Sequence, residues 1–451
     1  MNKSLLLKVI GMLALITLMS IAVGYINGII VERQNYQEQV KREIAKSSAD
    51  TQTVVGPILA VPYTEEYVDY VDDFTDKLVK VQKKVTLTDH KTAYFLPENI
   101  TLTGVFANEY KKLGIYQALM YQLGGSIQGD FHLPANLNIS PTHKNGVITF
   151  KPAYLSVVIS DTRGITGKPT LTVSNQSYQW MQGSQIKSLN KGIHAKLGNI
   201  DAETAQVIPF TFTFNLQGME DFHFTPIAST NAVSLKSSWQ HPHFNGSFLP
   251  VTKTIGGNGF SANWAVSSLS SSNQTTLLSN LQSNENNTQH DALESLSISF
   301  VDPINVYSQA DRATKYGLLF IGLTFVGFFL FEILKQLRIH PAQYTLVGLA
   351  MAMFYLLLVS FAEIIGFAYA YLTASAACVL LLGYYLSFVL KSKAHGFTFA
   401  TFLTALYGAL YGILASEDNA LIMGSVLMFG LLTIAMVMTR KIDWYAINTQ
   451  K

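Results

Sequence analysis

Residues 316–334 read YGLLFIGLTFVGFFLFEIL, and Lys335 and Arg338 follow at once. The stretch carries no charge before Glu332. At about 1.5 Å of rise per residue, a helix of this length crosses the apolar core of a bilayer. Four more segments of the same kind follow, at Gln343–Ala362, Gly366–Leu390, Phe397–Ala415 and Ala420–Met438. Lys391 and Lys393 follow the third of the five, and Arg440 and Lys441 follow the fifth. The other two connectors hold Glu363 and the pair Glu417-Asp418, with no Lys or Arg. Basic connectors thus alternate with acidic ones, as the positive-inside rule requires of consecutive spans.

A sixth span lies at the other end. Val9–Val31, VIGMLALITLMSIAVGYINGIIV, is 23 residues without a charge, preceded by Lys3 and Lys8. A cleaved signal peptide is the alternative, with Ala22-Val23-Gly24 as a small-residue cleavage site. The apolar run continues through Ile29-Ile30-Val31, which favours an uncleaved anchor. Six spans with both termini in the cytoplasm place residues 32–315 on the outer side of the membrane.

Composition agrees with this division. Charged residues are 13% of the 451, about half the ~25% usual for soluble domains. With 31 basic and 29 acidic side chains there is no broad basic face, so nucleic acid is not an expected partner. The lone Cys378 excludes an intramolecular disulfide and a thiolate zinc site.

The middle is expected to be rich in β-structure. Leu78–Leu87, Ile148–Ile159, Ile208–Leu216 (IPFTFTFNL) and Leu296–Val301 carry strand patterns, and the first and third alternate clearly. Antiparallel sheets in a sandwich-like arrangement are the expected form. Glu32–Thr53 has no Pro or Gly, and predicts that the first helix runs outward until Gly56-Pro57 stops it. Tyr110–Leu123 reads as a short helix before Gly124-Gly125, and the Ser/Asn/Gln-biased Ser267–Asp291 as a mobile loop. The fold class is therefore an integral membrane α+β protein. Its parts are an anchor (1–31), a juxtamembrane helix (32–56), a β-rich domain (57–315), a five-helix domain (316–438) and a tail (439–451).

No hydrolase elbow, phosphate loop, dinucleotide fingerprint or HExxH motif occurs, so no catalytic residue, cofactor or metal is assigned. His241 and His243, with His223 as a third donor, form the best metal candidate, but Pro242 between them suits a turn or strand edge as well. Acids within spans are costly and hence candidates for function. Glu332 lies one turn before Lys335, so an interfacial salt bridge is its structural alternative; Glu363 ends its span where water reaches it. Arg312 and Lys315 enter the second span against the charge trend, with pairing to Asp302, Asp311 or lipid phosphate as the alternative to a ligand role. Gly408, Gly412 and Ser416, and separately Gly366, Ala370 and Ala374, have helix-packing spacing.

Several longer motifs carry a resemblance. SQADRATKYG at 308–317 with LLFIGLTFVGFFLFE after it, IHPAQYTLVGLA at 339–350, and FYLLL at 354–358 lie in or beside the membrane segments. In the middle stand Ser238-Trp239 through Pro242, FNGSFLP at 244–250, GFSANW at 259–264, Gly56-Pro57 and Val61-Pro62-Tyr63. With these motifs the chain resembles the CreD family of inner-membrane, cell-envelope-integrity proteins over nearly its whole length. The resemblance adds His340 and Tyr344, within the second motif, to the candidate residues. It implies a bacterial inner-membrane location and a non-enzymatic role in envelope integrity or envelope stress. The absence of catalytic motifs and the size of the exported domain favour a periplasmic domain that binds a protein, lipid or cell-wall partner. Transport or lipid handling by the C-terminal helices is the alternative. The family's Ser-Glu-His before the glycine of the third span is here Ala362-Glu363-Ile364-Ile365-Gly366, which weakens any Glu–His proton relay.

Overall fold

A computed structural model describes residues 3–74, 80–282, 292–301, 305–334, 339–415 and 420–440. It divides into two compact units, Met1–Gln39 with Ile304–Lys451, and Val40–Pro303.

In the first unit five described helices are long and apolar enough to cross a membrane. They belong to α1 (Lys3–Ser47), α3 (Val306–Leu334), α4 (Pro341–Ile365), α5 (Phe367–Val389) and α6 (Lys393–Ala415). The last apolar segment of the sequence forms α7 (Ala420–Thr439), 20 residues long. Close packing rests on small residues. A Cβ at Gly348 of α4 would lie 2.8 Å from the Phe325 ring of α3 and 3.0 Å from Met19 of α1, so glycine lets three helices meet there. Gly366, at φ +78°, makes the turn from α4 to α5.

The second unit holds two sheets. Its strands are β1 (Gln52–Phe74), β2 (Lys80–Phe95), β3 (Asn99–Leu113), β4 (Tyr116–Leu133), β5 (Val147–Phe150), β6 (Ala153–Ile159), β7 (Ile165–Val173) and β8 (Gln176–Tyr178). Then come β9 (Met181–Gln182), β10 (Ile193–Gly198), β11 (Gln206–Met219), β12 (Asp221–Thr225), β13 (Thr230–Ser237), β14 (Pro242–Gly246), β15 (Thr252–Gly256) and β16 (Gly259–Ser267), with β17 (Leu296–Phe300) last. One sheet has the order β14-β17-β12-β1-β6-β10-β9, with β2 and β5 also on β1; the other runs β15-β16-β13-β3-β4-β11-β7-β8. Their inner faces share one apolar core, in which Phe106 of one sheet meets Phe222 of the other at 5.5 Å between ring centres. Most pairs are antiparallel as expected, but β1/β12 and β3/β13 are parallel.

Three local expectations need correction. Tyr110–Leu123 is not a helix: Gly114, at φ +63°, turns β3 back into β4, which runs straight through Gly124-Gly125. The Phe214 ring sits where a Cβ of Gly125 would go, so the glycines are a packing feature of the strand rather than its end. The first helix stops at Ser47, well before Gly56-Pro57, and β1 begins at Gln52. The buried Gln52 amide donates to the carbonyls of Asp161 (3.0 Å) and Gln217 (2.9 Å) and so ties the chain into the sheet. A register shift against β6 between Val55 and Ile58 absorbs Gly56-Pro57 within the strand. Part of the Ser/Asn/Gln-biased segment is helical, α2 (Asn273–Gln282), while residues 283–291 lie outside the described chain. The buried Asn273 side chain donates to Pro226 and Glu294 carbonyls, which fixes the start of that helix.

Candidate functional sites

Glu332, His340 and Tyr344 come together where α3 ends and α4 begins. Glu332 is 3% exposed. The Tyr344 hydroxyl donates to its Oε2 at 2.9 Å, and the backbone N–H of Ile339 donates to Oε1 at 3.2 Å. Tyr344 is held by the rings of Phe328 and Phe325 at 4.7 and 5.8 Å. His340 acts on this site indirectly, as the N-cap of α4. Its Nδ1 accepts from Ala342 N–H at 3.2 Å, and its own N–H donates to Gln343 Oε1 at 3.1 Å. With Pro341 in the first turn, this cap sets where α4 starts and hence where Tyr344 points. A cavity of about 90 Å³ adjoins Glu332, with Gly11, Met12 and Leu15 of α1 and Phe329 of α3 among its walls. Lys335, the sequence-based partner of Glu332, lies outside the described residues.

At the other ends of α3 and α4 a second carboxylate has a similar arrangement. Tyr307 Oη donates to Glu363 Oε1 at 3.1 Å, and Arg33 Nε of α1 lies 3.7 Å from the same oxygen. Glu363 is more open, at 14% side-chain exposure. One step along α3, Lys315 Nζ pairs with Asp311 Oδ2 at 2.7 Å, and Asn27 of α1 donates to Asp311 Oδ1 and to Thr314 Oγ1, each at 2.9 Å. Arg312 sits half-buried beside this network. Asp302, the other acid considered for these cations, is outside the described residues. Lys315 is therefore engaged within its own helix.

The β unit holds two features that the sequence reading missed. Glu65 of β1 is 1% exposed, yet ionised and paired. The backbone N–H of His143 donates to Oε1 at 2.7 Å, and Lys91 Nζ of β2 sits 2.9 Å from Oε2. The backbone donor first, then Lys91 and Thr142, outweigh burial and hold the carboxyl down to about 2. Glu65, Asp89 and His143 place ligand atoms within 4.8 Å of one another, as a metal site would. Lys91 Nζ, also 3.6 Å from Asp89 and 3.0 Å from Thr142 Oγ1, already supplies the cation. His241, His243 and His223 are not such a group among the described residues. His223 Nδ1 is 2.5 Å from Ser297 Oγ, and His243 pairs with Ser299 on β17.

The second feature is a cleft of about 640 Å³ on the face of the β1 sheet that points away from the other sheet. Registers build its floor. Thr53 and Val55 of β1 lie beside His223 and Thr225 of β12, and Val55 lies beside Val158 of β6. Alternation explains the face: Phe222 points into the core, so His223 points into the cleft. Leu277 of α2 and the segment 189–191 form the walls, with Asn190, Lys191 and Asn280 among its polar lining. Strands and a helix separated by more than two hundred residues make it, so no local pattern announces it.

A multi-span membrane protein with a two-sheet unit inserted between its first and second spans is the class these features define. A family profile described as "Inner membrane protein CreD" matches residues 4–445. The inner membrane protein CreD of Escherichia coli (strain K12) is 32% identical over 444 residues, covering 98% of this chain and 94% of that protein. The chain belongs to the CreD family of inner membrane proteins. An M1 zinc metallopeptidase from Deinococcus radiodurans matches in structure with a TM-score of 0.19 and 8% identity, over 45% of this chain and 40% of that one. A likeness of that size carries no argument about activity.

Proposed function

We propose that the protein is a non-enzymatic envelope protein whose β unit, held on the periplasmic side, recognises an envelope partner. The cleft over Thr53, Val158 and His223 is the observation that carries this reading. Its floor is apolar at Val55 and Val158, while hydroxyls, amides, Lys191 and His223 ring it. Such a lining suits an extended segment with both apolar and hydrogen-bonding groups, whether peptide, glycan or lipid fragment. In this reading the helical unit anchors the module, because Glu332 and Glu363 are each engaged by a tyrosine hydroxyl. The basic connectors support a topology with both termini in the cytoplasm.

The test is photo-crosslinking in living cells from Asn190 or Asn280, with Asn175, on the turn between β7 and β8, as control. A discrete adduct from the cleft positions alone is expected. Equal, diffuse labelling from all three sites would refute cleft recognition. Transport remains the second reading, favoured by the small cavity beside Glu332.

A further inference from the structure

A second concavity lies within the helical unit, between α5 and α6, and encloses about 790 Å³. Val379, Leu380, Gly383 and Tyr384 line it from α5, and residues of α6 from Lys393 to Ala405 line it along one face. Two close approaches form its base. A Cβ at Gly383 would lie 3.0 Å from that of Ala400, and one at Gly396 would lie 2.7 Å from Ser387 Cα. Helices this close leave a furrow above their contact line, walled by exposed Leu380, Tyr384 and Phe397. The furrow is apolar despite two threonines. Thr401 Oγ1 donates to Phe397 O at 3.0 Å and Thr404 Oγ1 to Ala400 O at 2.9 Å, so both hydroxyls are spent on their own helix.

Length and charge identify what would fill it. From Lys393 to Ala405 the furrow runs roughly 18 Å at helical rise, close to half of the ~30 Å hydrocarbon core, the depth of one leaflet. At one end stand the exposed Lys391 and Lys393, and no Asp or Glu occurs anywhere from Phe367 to Ala415. An apolar slot one leaflet deep, with two cations at its mouth and no acid in the two helices that form it, has the layout of a phospholipid site. We infer that one anionic phospholipid binds here, with an acyl chain along α5 and α6 and its phosphate at Lys391 and Lys393. Basic sites between membrane helices recognise anionic headgroups in this way.

The full chain, released from membranes in mild detergent, would be titrated with phosphatidylglycerol and with zwitterionic phosphatidylethanolamine under native mass spectrometry. One phosphatidylglycerol per chain should bind preferentially. At roughly fivefold per lysine, the pair Lys391→Gln/Lys393→Gln should lose on the order of 25-fold of that preference. Thr404→Trp, on an exposed wall, should remove both lipids while leaving the melting temperature unchanged. Equal binding of the two lipids, or a preference untouched by the lysine pair, would overturn the inference. So would a dimer that Thr404→Trp dissolves, since a second copy would then fill the furrow.

Discussion

Glu332 and Glu65 are both almost fully covered, at 3% and 1% exposure, yet they are built by opposite means. Glu332 takes its described hydrogen bonds from Ile339 and Tyr344, 7 and 12 residues along the chain, across one helix–helix connection. Glu65 takes its partners from Lys91 and His143, 26 and 78 residues away, on another strand and a distant loop. The first acid stands among apolar helices and is met by groups just ahead of it in the chain. The second stands in a sheet, where strand pairing gathers distant polar groups. A buried charge whose partners are local can be read together with them in one stretch of sequence, and one whose partners are distant cannot.

The largest effect is expected at Glu332, where one substitution strips the acceptor from two donors. Glu332→Leu leaves the Tyr344 hydroxyl and the Ile339 N–H without their acceptor, at about 1–3 kcal/mol for each group. Thermal unfolding of the full chain in detergent should show a marked loss, whereas Glu332→Gln, which keeps an acceptor, should lose far less. Equal losses would mean that charge rather than hydrogen bonding is what matters there.

Glu65 should respond to acid instead. Its carboxyl ionises near 2 when folded against an ordinary value of 4.5, so its stabilisation is complete above about pH 4.5 and vanishes as pH falls through about 2. Hydrogen exchange of the β1 and β2 amides around Glu65 and Lys91 should quicken over that window. Glu65→Gln should remove that pH dependence and give the faster exchange already at neutral pH. A wild-type profile that is flat between those limits would contradict the pairing.

The tyrosines allow a finer comparison. Tyr344→Phe removes a hydrogen bond to a covered carboxylate and should cost about 1 kcal/mol, while Tyr307→Phe, against the more open Glu363, should cost about half as much. A reversed order in melting temperature would show that the two ends of the helical unit are not ranked by exposure.

Much of the architecture is legible because its patterns are contiguous in the chain. Spans are read from contiguous apolar residues, and strands from alternation, as in Ile208–Leu216, which lies inside β11. Tyr110–Leu123 failed because its apolar residues fall at mixed spacings and Gly124-Gly125 reads as a stop, until Phe214 of another strand covers it. His340 drew notice through a motif, and in the structure it caps α4. Lys315 likewise turned out to be engaged by Asp311, four residues before it. The cleft was invisible because its floor joins Thr53, Val158 and His223, which only sheet order brings together.

In the reading proposed above, recognition resides in the β cleft while the acids of the helices are structural. Its most direct test compares three variants for tolerance of cell-wall damage in cells lacking the native copy, with membrane abundance measured alongside. Asn280→Trp, which fills the cleft, should lose function at normal abundance, while Glu332→Gln and Glu363→Gln should retain it. Loss in either glutamine variant at normal abundance, with Asn280→Trp fully active, would contradict the account and assign the function to the helices.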